Sequence, residues 1–313
     1  MANRAFLFPG QGSQYVGMGK DFYDHFSSAK ETFQEADELL GSHFSRLIFE
    51  GPADELTLTR NSQLAIYIVS MAIWRTARSQ LPHLLPSFCA GLSLGEYSAL
   101  TAASKIDFAS GLLLVRARGA FMHEAALTNP GTMSVILGLH PEEVEKVLSS
   151  FVPRRRVWIA NLNCPLQVVI AGAKEDVEFA NGKLKEAGAK RALPLEVSGA
   201  FHTELMLPAK QKLEPLIEKA PLTSSQVQVV MNVPGDVVKD IQEMRNYLLT
   251  QVVRPVLWEK GVRAMMERGV DLYIEMGCGK TLAGMNKRIG VPALTLSIEK
   301  IEDLDEVNHA TER

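Results

Sequence analysis

The sequence predicts a mixed α/β fold with a larger domain, residues 1-130 and 198-313, interrupted by a smaller one, residues 131-197. Three observations lead there. A chain of 313 residues exceeds one comfortable core, so two domains or an insertion are expected. Short apolar runs alternate with helix-period segments in the first 130 residues. Residues 132–197 then follow another order, strand–helix–strand–strand–helix–strand, which is the ferredoxin-like split arrangement.

Residues 5–8 form a compact apolar strand stopped by Pro9, and glycines follow in Gly10-Gln11-Gly12-Ser13-Gln14. A dinucleotide loop fits poorly here. Pro9 intrudes, the third glycine is misplaced, and residues 21–40 read as helix where a second strand should lie. Gln11 and Gln14 instead offer amide donors at the C-terminal end of a strand. Residues 64–75 have helical spacing and read as a buried helix, with Trp74 as core.

After Pro86, Phe88-Cys89-Ala90-Gly91 reads as a buried strand and Glu96-Tyr97-Ser98-Ala99-Leu100 as the start of a helix. Between them lies Gly91-Leu92-Ser93-Leu94-Gly95, the Gly-x-Ser-x-Gly pattern of a nucleophile elbow. Glycine at both ends lets backbone pass close to a sharp turn that exposes the Ser93 hydroxyl. A structural strand-to-helix turn is the alternative.

Asp107 is a good N-cap for a long following helix. On it, Arg118 has Leu114, Val115, Phe121 and Met122 three and four residues away, so it sits on an apolar face. A guanidinium kept from water needs an anion, either an internal Asp or Glu or a ligand, unless it snorkels outward.

In the smaller domain, strands are expected over 132–139, 156–160, 167–171 and 190–197, and helices over 141–151 and 174–187. The Arg154-Arg155-Arg156 run reads as a solvated loop. The chain then re-enters the larger domain through Ser198-Gly199-Ala200-Phe201-His202-Thr203, where a histidine just past a strand is a candidate base for Ser93 or a loop cap. Residues 227–232 form another strand, and residues 271–276 the last clear one. Gly279-Lys280-Thr281 is not a phosphate loop, because Ile274 stands where the first glycine is required. The tail after Glu299 reads as frayed.

A net charge of −3 gives no reason to expect nucleic acid or an anionic membrane as partner. Cys89, Cys164 and Cys278 are scattered, which fits a reducing compartment and no structural zinc. No apolar run reaches the roughly 20 residues of a spanning helix. A cytoplasmic protein is expected.

Several stretches coincide in order: Phe8-Pro9-Gly10-Gln11-Gly12-Ser13-Gln14, residues 91–100, Arg118-Gly119 and Phe201-His202. With Asn161-x-Asn163…Gln167–Gly172, Gln251…Pro255-Val256-x-Trp258 and Glu275-x-Gly277-x-Gly279, the chain closely resembles the malonyl-CoA:acyl carrier protein transacylase family over residues 4–290. The resemblance implies an α/β-hydrolase-like core with an inserted ferredoxin-like subdomain. It implies Ser93 as nucleophile, His202 as general base and acid, Gln11 and the Leu94 N–H as oxyanion hole, and Arg118 as the grip on a malonyl carboxylate. The main-chain carbonyl of Gln251 would orient His202. Malonyl-CoA and holo acyl carrier protein would be the partners, with no cofactor beyond these thioesters, no metal and a monomeric chain. Two departures from this reading stay open: an acyl hydrolase or polyketide-system transferase on the same scaffold, and a non-catalytic carrier-binding module. The family usually has histidine before the serine, where this chain has Leu92. Phe201 resembles the residue of malonyl-selective members, its bulk crowding an α-methyl branch.

Overall fold

The computed structural model describes residues 3–311, so the outermost two residues at each end of the larger predicted domain lie outside it. Its strands are β1 (Arg4–Phe8), β2 (Phe88–Gly91), β3 (Thr132–Leu137), β4 (Val157–Cys164), β5 (Gln167–Gly172), β6 (Arg191–Pro194), β7 (Gln228–Met231), β8 (Asp236–Val238), β9 (Leu272–Met276) and β10 (Leu294–Ile298). They form two sheets, and the architecture is mixed α/β.

The larger sheet has the order β10-β9-β1-β2-β7-β8, parallel except for β8 at one edge. Parallel sheets are covered on both faces, and β1 shows why its run is unbroken in apolar character. Phe6 and Phe8 face one helical layer, whereas Ala5 and Leu7 face the other, the period of two that a strand imposes. The helix Thr59–Gln80 runs longer than expected, and Trp74 on it is buried against Phe6. Asp107 caps the helix Phe108–Thr128 by accepting the Ser110 N–H.

The smaller sheet is antiparallel in the order β4-β5-β3-β6. Its strands and helices follow the expected sequence of elements with ends shifted by a few residues. Alternation again divides the faces. Ile136, Val168 and Ile170 pack under the helices Pro141–Ser149 and Lys174–Glu186, while Met133, Val169 and Ala171 join the core of the larger part.

Four expectations need correction. Residues 21–40 are two helices, Lys20–His25 and Ser27–Leu40, separated by an extended Phe26. Residues 271–276 do not hold the last strand, because β10 follows at the sheet edge, a five-residue run interrupted by Thr295 and Ser297. The tail after Glu299 is the helix Ile301–Thr311, not a frayed end. Leu304 and Val307 bury one face of it, and the Asp303 carboxylate accepts the Glu299 and Lys300 N–H groups. Within the arginine run, Arg155 is anchored rather than solvated: it pairs with Asp176 at 2.8 Å and lies over the Phe179 ring. Among the described residues no helix is long and apolar enough to cross a membrane.

Candidate active site

Three neighbouring parallel strands, β1, β2 and β7, end side by side, and the chain leaving them carries Gln11, Ser93 and Asn232. The carboxyl ends of parallel strands are where α/β folds place ligands. The turn from β2 to the helix Gly95–Ala102 is tight, and a Cβ on Gly91 would overlap the Gly95 carbonyl. One on Gly95 would overlap the Phe8 carbonyl of β1, so both positions require glycine. Ser93 itself sits at φ +53°, a left-handed conformation costing about 1–3 kcal/mol for a residue with a Cβ. Asn232 clamps it there. Its Oδ1 accepts the Ser93 N–H at 2.7 Å, and its Nδ2 donates to the Gly91 carbonyl at 2.7 Å.

His202 also adopts positive φ, at +62°, in the loop after β6. Its Nε2 lies 2.8 Å from the Ser93 Oγ, and its Nδ1 lies 2.8 Å from the Gln251 main-chain carbonyl. A carbonyl can only accept, so Nδ1 carries the proton and Nε2 presents a lone pair to the serine. Burial, aided by the nearby Arg118 charge, pushes His202 down to about 4, so the ring is neutral at neutral pH. That is the form able to take a hydroxyl proton.

Arg118 is wholly buried. Its Nη1 donates to Gln63 Oε1 at 2.6 Å, and its Nη2 donates to Gln251 Oε1 at 2.8 Å and Ser93 Oγ at 3.0 Å. Among the described residues it makes no ion pair, and its Nε has no hydrogen-bond partner. Neither an internal salt bridge nor a snorkelling side chain describes it. A guanidinium stays protonated despite burial, so this site holds a positive charge beside the serine with no anion bonded directly to it.

Ser93, His202, Gln11 and Arg118 line one cavity of about 260 Å3. Its far wall is the smaller sheet, through Met133, Val135, Asn161 and Val169, with Phe201 beside His202. Gln11 is half-buried and its amide makes one long bond, 3.3 Å to Thr59 Oγ1. The Leu94 side chain points into the core, leaving only its backbone at the start of the helix, and Gln251 lies behind His202. Leu92 packs its side chain against the layer containing Val256 and Trp258. Among the described residues, no cluster of three or more His, Cys, Asp and Glu side chains could hold a metal ion.

A family model described as an acyl transferase domain matches residues 5–288. The chain belongs to the acyl transferase family. A Bacillus subtilis relative called malonyl CoA-acyl carrier protein transacylase is 42% identical over 306 residues, covering 97% of this chain and 96% of that one. The Escherichia coli K12 protein of the same description is 43% identical over 297 residues, covering 95% and 96%. Among solved structures, a malonyl-transacylase in complex with its holo type II PKS acyl-carrier protein matches with TM-score 0.95 and 39% identity, covering 99% of this chain and all of that one. A crystal structure of MCAT from Streptococcus pneumoniae matches with TM-score 0.93 and 39% identity, covering 98% and 100%.

Reading the sequence of this acyl transferase alone missed three residues of the site. Asn232 stands at the end of a predicted strand, where nothing marked it as the clamp on Ser93. Gln63 sits in a helix read only as core, although an amide among Leu64, Ala65 and Ile66 is itself a signal. Glu96 stands three residues after Ser93, as in a helix capping box, but turns inward and is completely buried. Burial pushes its carboxyl up to about 7.

Proposed function

We propose that this chain transfers a malonyl group from malonyl-CoA to the phosphopantetheine thiol of holo acyl carrier protein, through a malonyl ester on Ser93. The observation that carries this reading is the buried Arg118 guanidinium, with no anion bonded directly to it and 3.0 Å from the Ser93 Oγ. An acyl group on Ser93 that bears a carboxylate one methylene beyond its carbonyl brings the missing anion to that charge. An acetyl group brings none.

The Ser93 Oγ attacks the thioester carbonyl while His202 Nε2 takes its proton. The resulting oxyanion faces the Leu94 N–H and the Gln11 amide, which gives up its long bond to Thr59. Each such donor contributes about 2.7–4 kcal/mol to lowering the barrier. The tetrahedral centre collapses, the C–S bond breaks, and His202 returns the proton to the departing CoA thiolate. The carrier thiol then gives its proton to His202 and attacks the ester carbonyl; as the C–O bond breaks, His202 Nε2 passes that proton to the departing Ser93 Oγ, which restores the free serine and the neutral ring. The Gln251 carbonyl, fixed on Nδ1, keeps the ring in the required tautomer throughout.

The same reading takes residues 1-130 and 198-313 as an α/β-hydrolase-like core and residues 131-197 as a ferredoxin-like insertion. Supporting it are the strand order of the smaller sheet and its own apolar cluster, from Ile136 to Ala189. The three cysteines are buried and unbridged, which suits a cytoplasmic setting.

Labelled malonyl-CoA incubated with and without holo carrier protein tests the function. Label passing to the carrier is expected; rapid release of free malonate with no labelled carrier would mean a hydrolase instead.

A further inference from the structure

The site described so far leaves one buried acid without a task. Glu96 is fully enclosed, and each of its oxygens accepts from a different arm of the site. Oε2 takes the Asn232 main-chain N–H at 2.5 Å, and the Asn232 side chain holds the Ser93 N–H. Oε1 takes the Gln251 Nε2 at 2.9 Å, and that same nitrogen reaches the Ser93 carbonyl at 2.9 Å. Beyond it, Gln251 Oε1 holds Arg118 and the Gln251 main-chain carbonyl holds His202.

We infer that Glu96 is a positioning residue for the transfer, fixing the Ser93 turn, the His202-orienting Gln251 and the Arg118 guanidinium relative to one another. The inference rests on the proposed transfer through Ser93. It follows from donor and acceptor counting. Both neighbours of the carboxylate are donors, so the site needs two acceptors in fixed places, which an ionised carboxylate supplies. Protonation turns one oxygen into a donor facing a donor, and one of the two arms loses its support. Glutamine imposes the same fault permanently at nearly the same volume, so Glu96→Gln copies the protonated acid.

The charged and titratable groups facing Glu96 are Arg118 across the Gln251 amide, Tyr97 on its own helix, and His202 beyond Ser93. Burial raises Tyr97 to about 12, and His202 lies at about 4. Arg118 keeps its charge. Between pH 5.5 and 8.5, Glu96 is therefore the member of this cluster that changes charge, since burial places it near 7 against the pull of Asn232 and Arg118.

The experiment is single-turnover formation of the malonyl-Ser93 adduct at saturating malonyl-CoA, read by quenched intact mass over pH 5.5–8.5. The full chain is used, and thermal unfolding verifies that each variant is folded. Wild type is expected to accelerate through a limb near neutral pH as Glu96 ionises. Glu96→Gln is expected to be slower by roughly tenfold or more at pH 8 and flat across the range. Glu96→Asp, which keeps the charge on a shorter arm, is expected to retain the limb at reduced rate; it carries the test if the glutamine variant does not fold. A Glu96→Gln rate within twofold of wild type at pH 8, or an unchanged limb in that variant, overturns the inference while leaving the transfer reading intact. Absence of any adduct on wild type overturns the transfer reading, and the inference with it.

Discussion

Replacing Arg118 with alanine separates the two substrates that the site is built to tell apart. In the free protein the guanidinium holds Gln63 Oε1, Gln251 Oε1 and the Ser93 Oγ, with Nε unpartnered. A malonyl carboxylate meets a planar fork in a buried setting, the geometry in which arginine binds carboxylates through two parallel bonds. Losing one partner of a buried ion pair costs about 3–5 kcal/mol. At 1.36 kcal/mol per decade, kcat/KM for malonyl-CoA should fall by about a hundredfold to several thousandfold. Acetyl-CoA forfeits only the charge-assisted contact to Ser93, about 1.5–3 kcal/mol, or roughly ten- to a hundredfold. The variant also strands two buried amide oxygens and lowers stability, so the quantity to compare is the malonyl-to-acetyl ratio, which cancels any loss of folded protein. Steady-state transfer to holo carrier protein from each thioester supplies it. Equal losses on both thioesters would show that Arg118 serves the fold and not the carboxylate.

Asn232→Ala strands the Ser93 N–H and the Gly91 carbonyl, and should destabilise the protein by about 2 kcal/mol or more while slowing Ser93 acylation; an unchanged unfolding midpoint contradicts the clamp. Phe201 is buried in the cavity wall beside His202, so Phe201→Ala should raise use of methylmalonyl-CoA relative to malonyl-CoA, and an unaltered ratio removes it as the selectivity element. His202 has a folded-state pKa near 4 against an ordinary 6.5, so as pH falls through this interval the unfolded chain takes up a proton first. Its contribution to stability is full above 6.5 and is lost toward 4. His202→Gln should therefore gain stability relative to wild type as pH drops from 7 to 5, and parallel unfolding curves would refute the buried neutral imidazole.

What the sequence revealed of this site was the part written in local chemistry. Gly91 and Gly95 flank Ser93 because backbone must pass within contact of the turn, and that demand shows directly in residue type. Arg118 betrayed itself by lying on an apolar helix face. The order of elements over residues 132–197 revealed the smaller sheet before any contact was known. By contrast, Asn232 and Glu96 act across sequence separations that no local pattern encodes; Asn232 stands 139 residues from Ser93. The fold misses share a cause as well. Both offer few apolar positions: β10 is five residues long with Thr295 and Ser297 between its leucines and isoleucine, and the closing helix Ile301–Thr311 buries only Leu304 and Val307 among many charged residues.

The central claim is that Ser93 carries the malonyl group between two thiols. Intact-mass analysis of the wild-type chain after brief exposure to malonyl-CoA should show one malonyl adduct, located at Ser93 and absent from Ser93→Ala. Adding holo carrier protein should clear the adduct from the enzyme and place it on the carrier. An adduct that persists in Ser93→Ala, or a carrier that is malonylated while no adduct forms on the enzyme, would contradict the account.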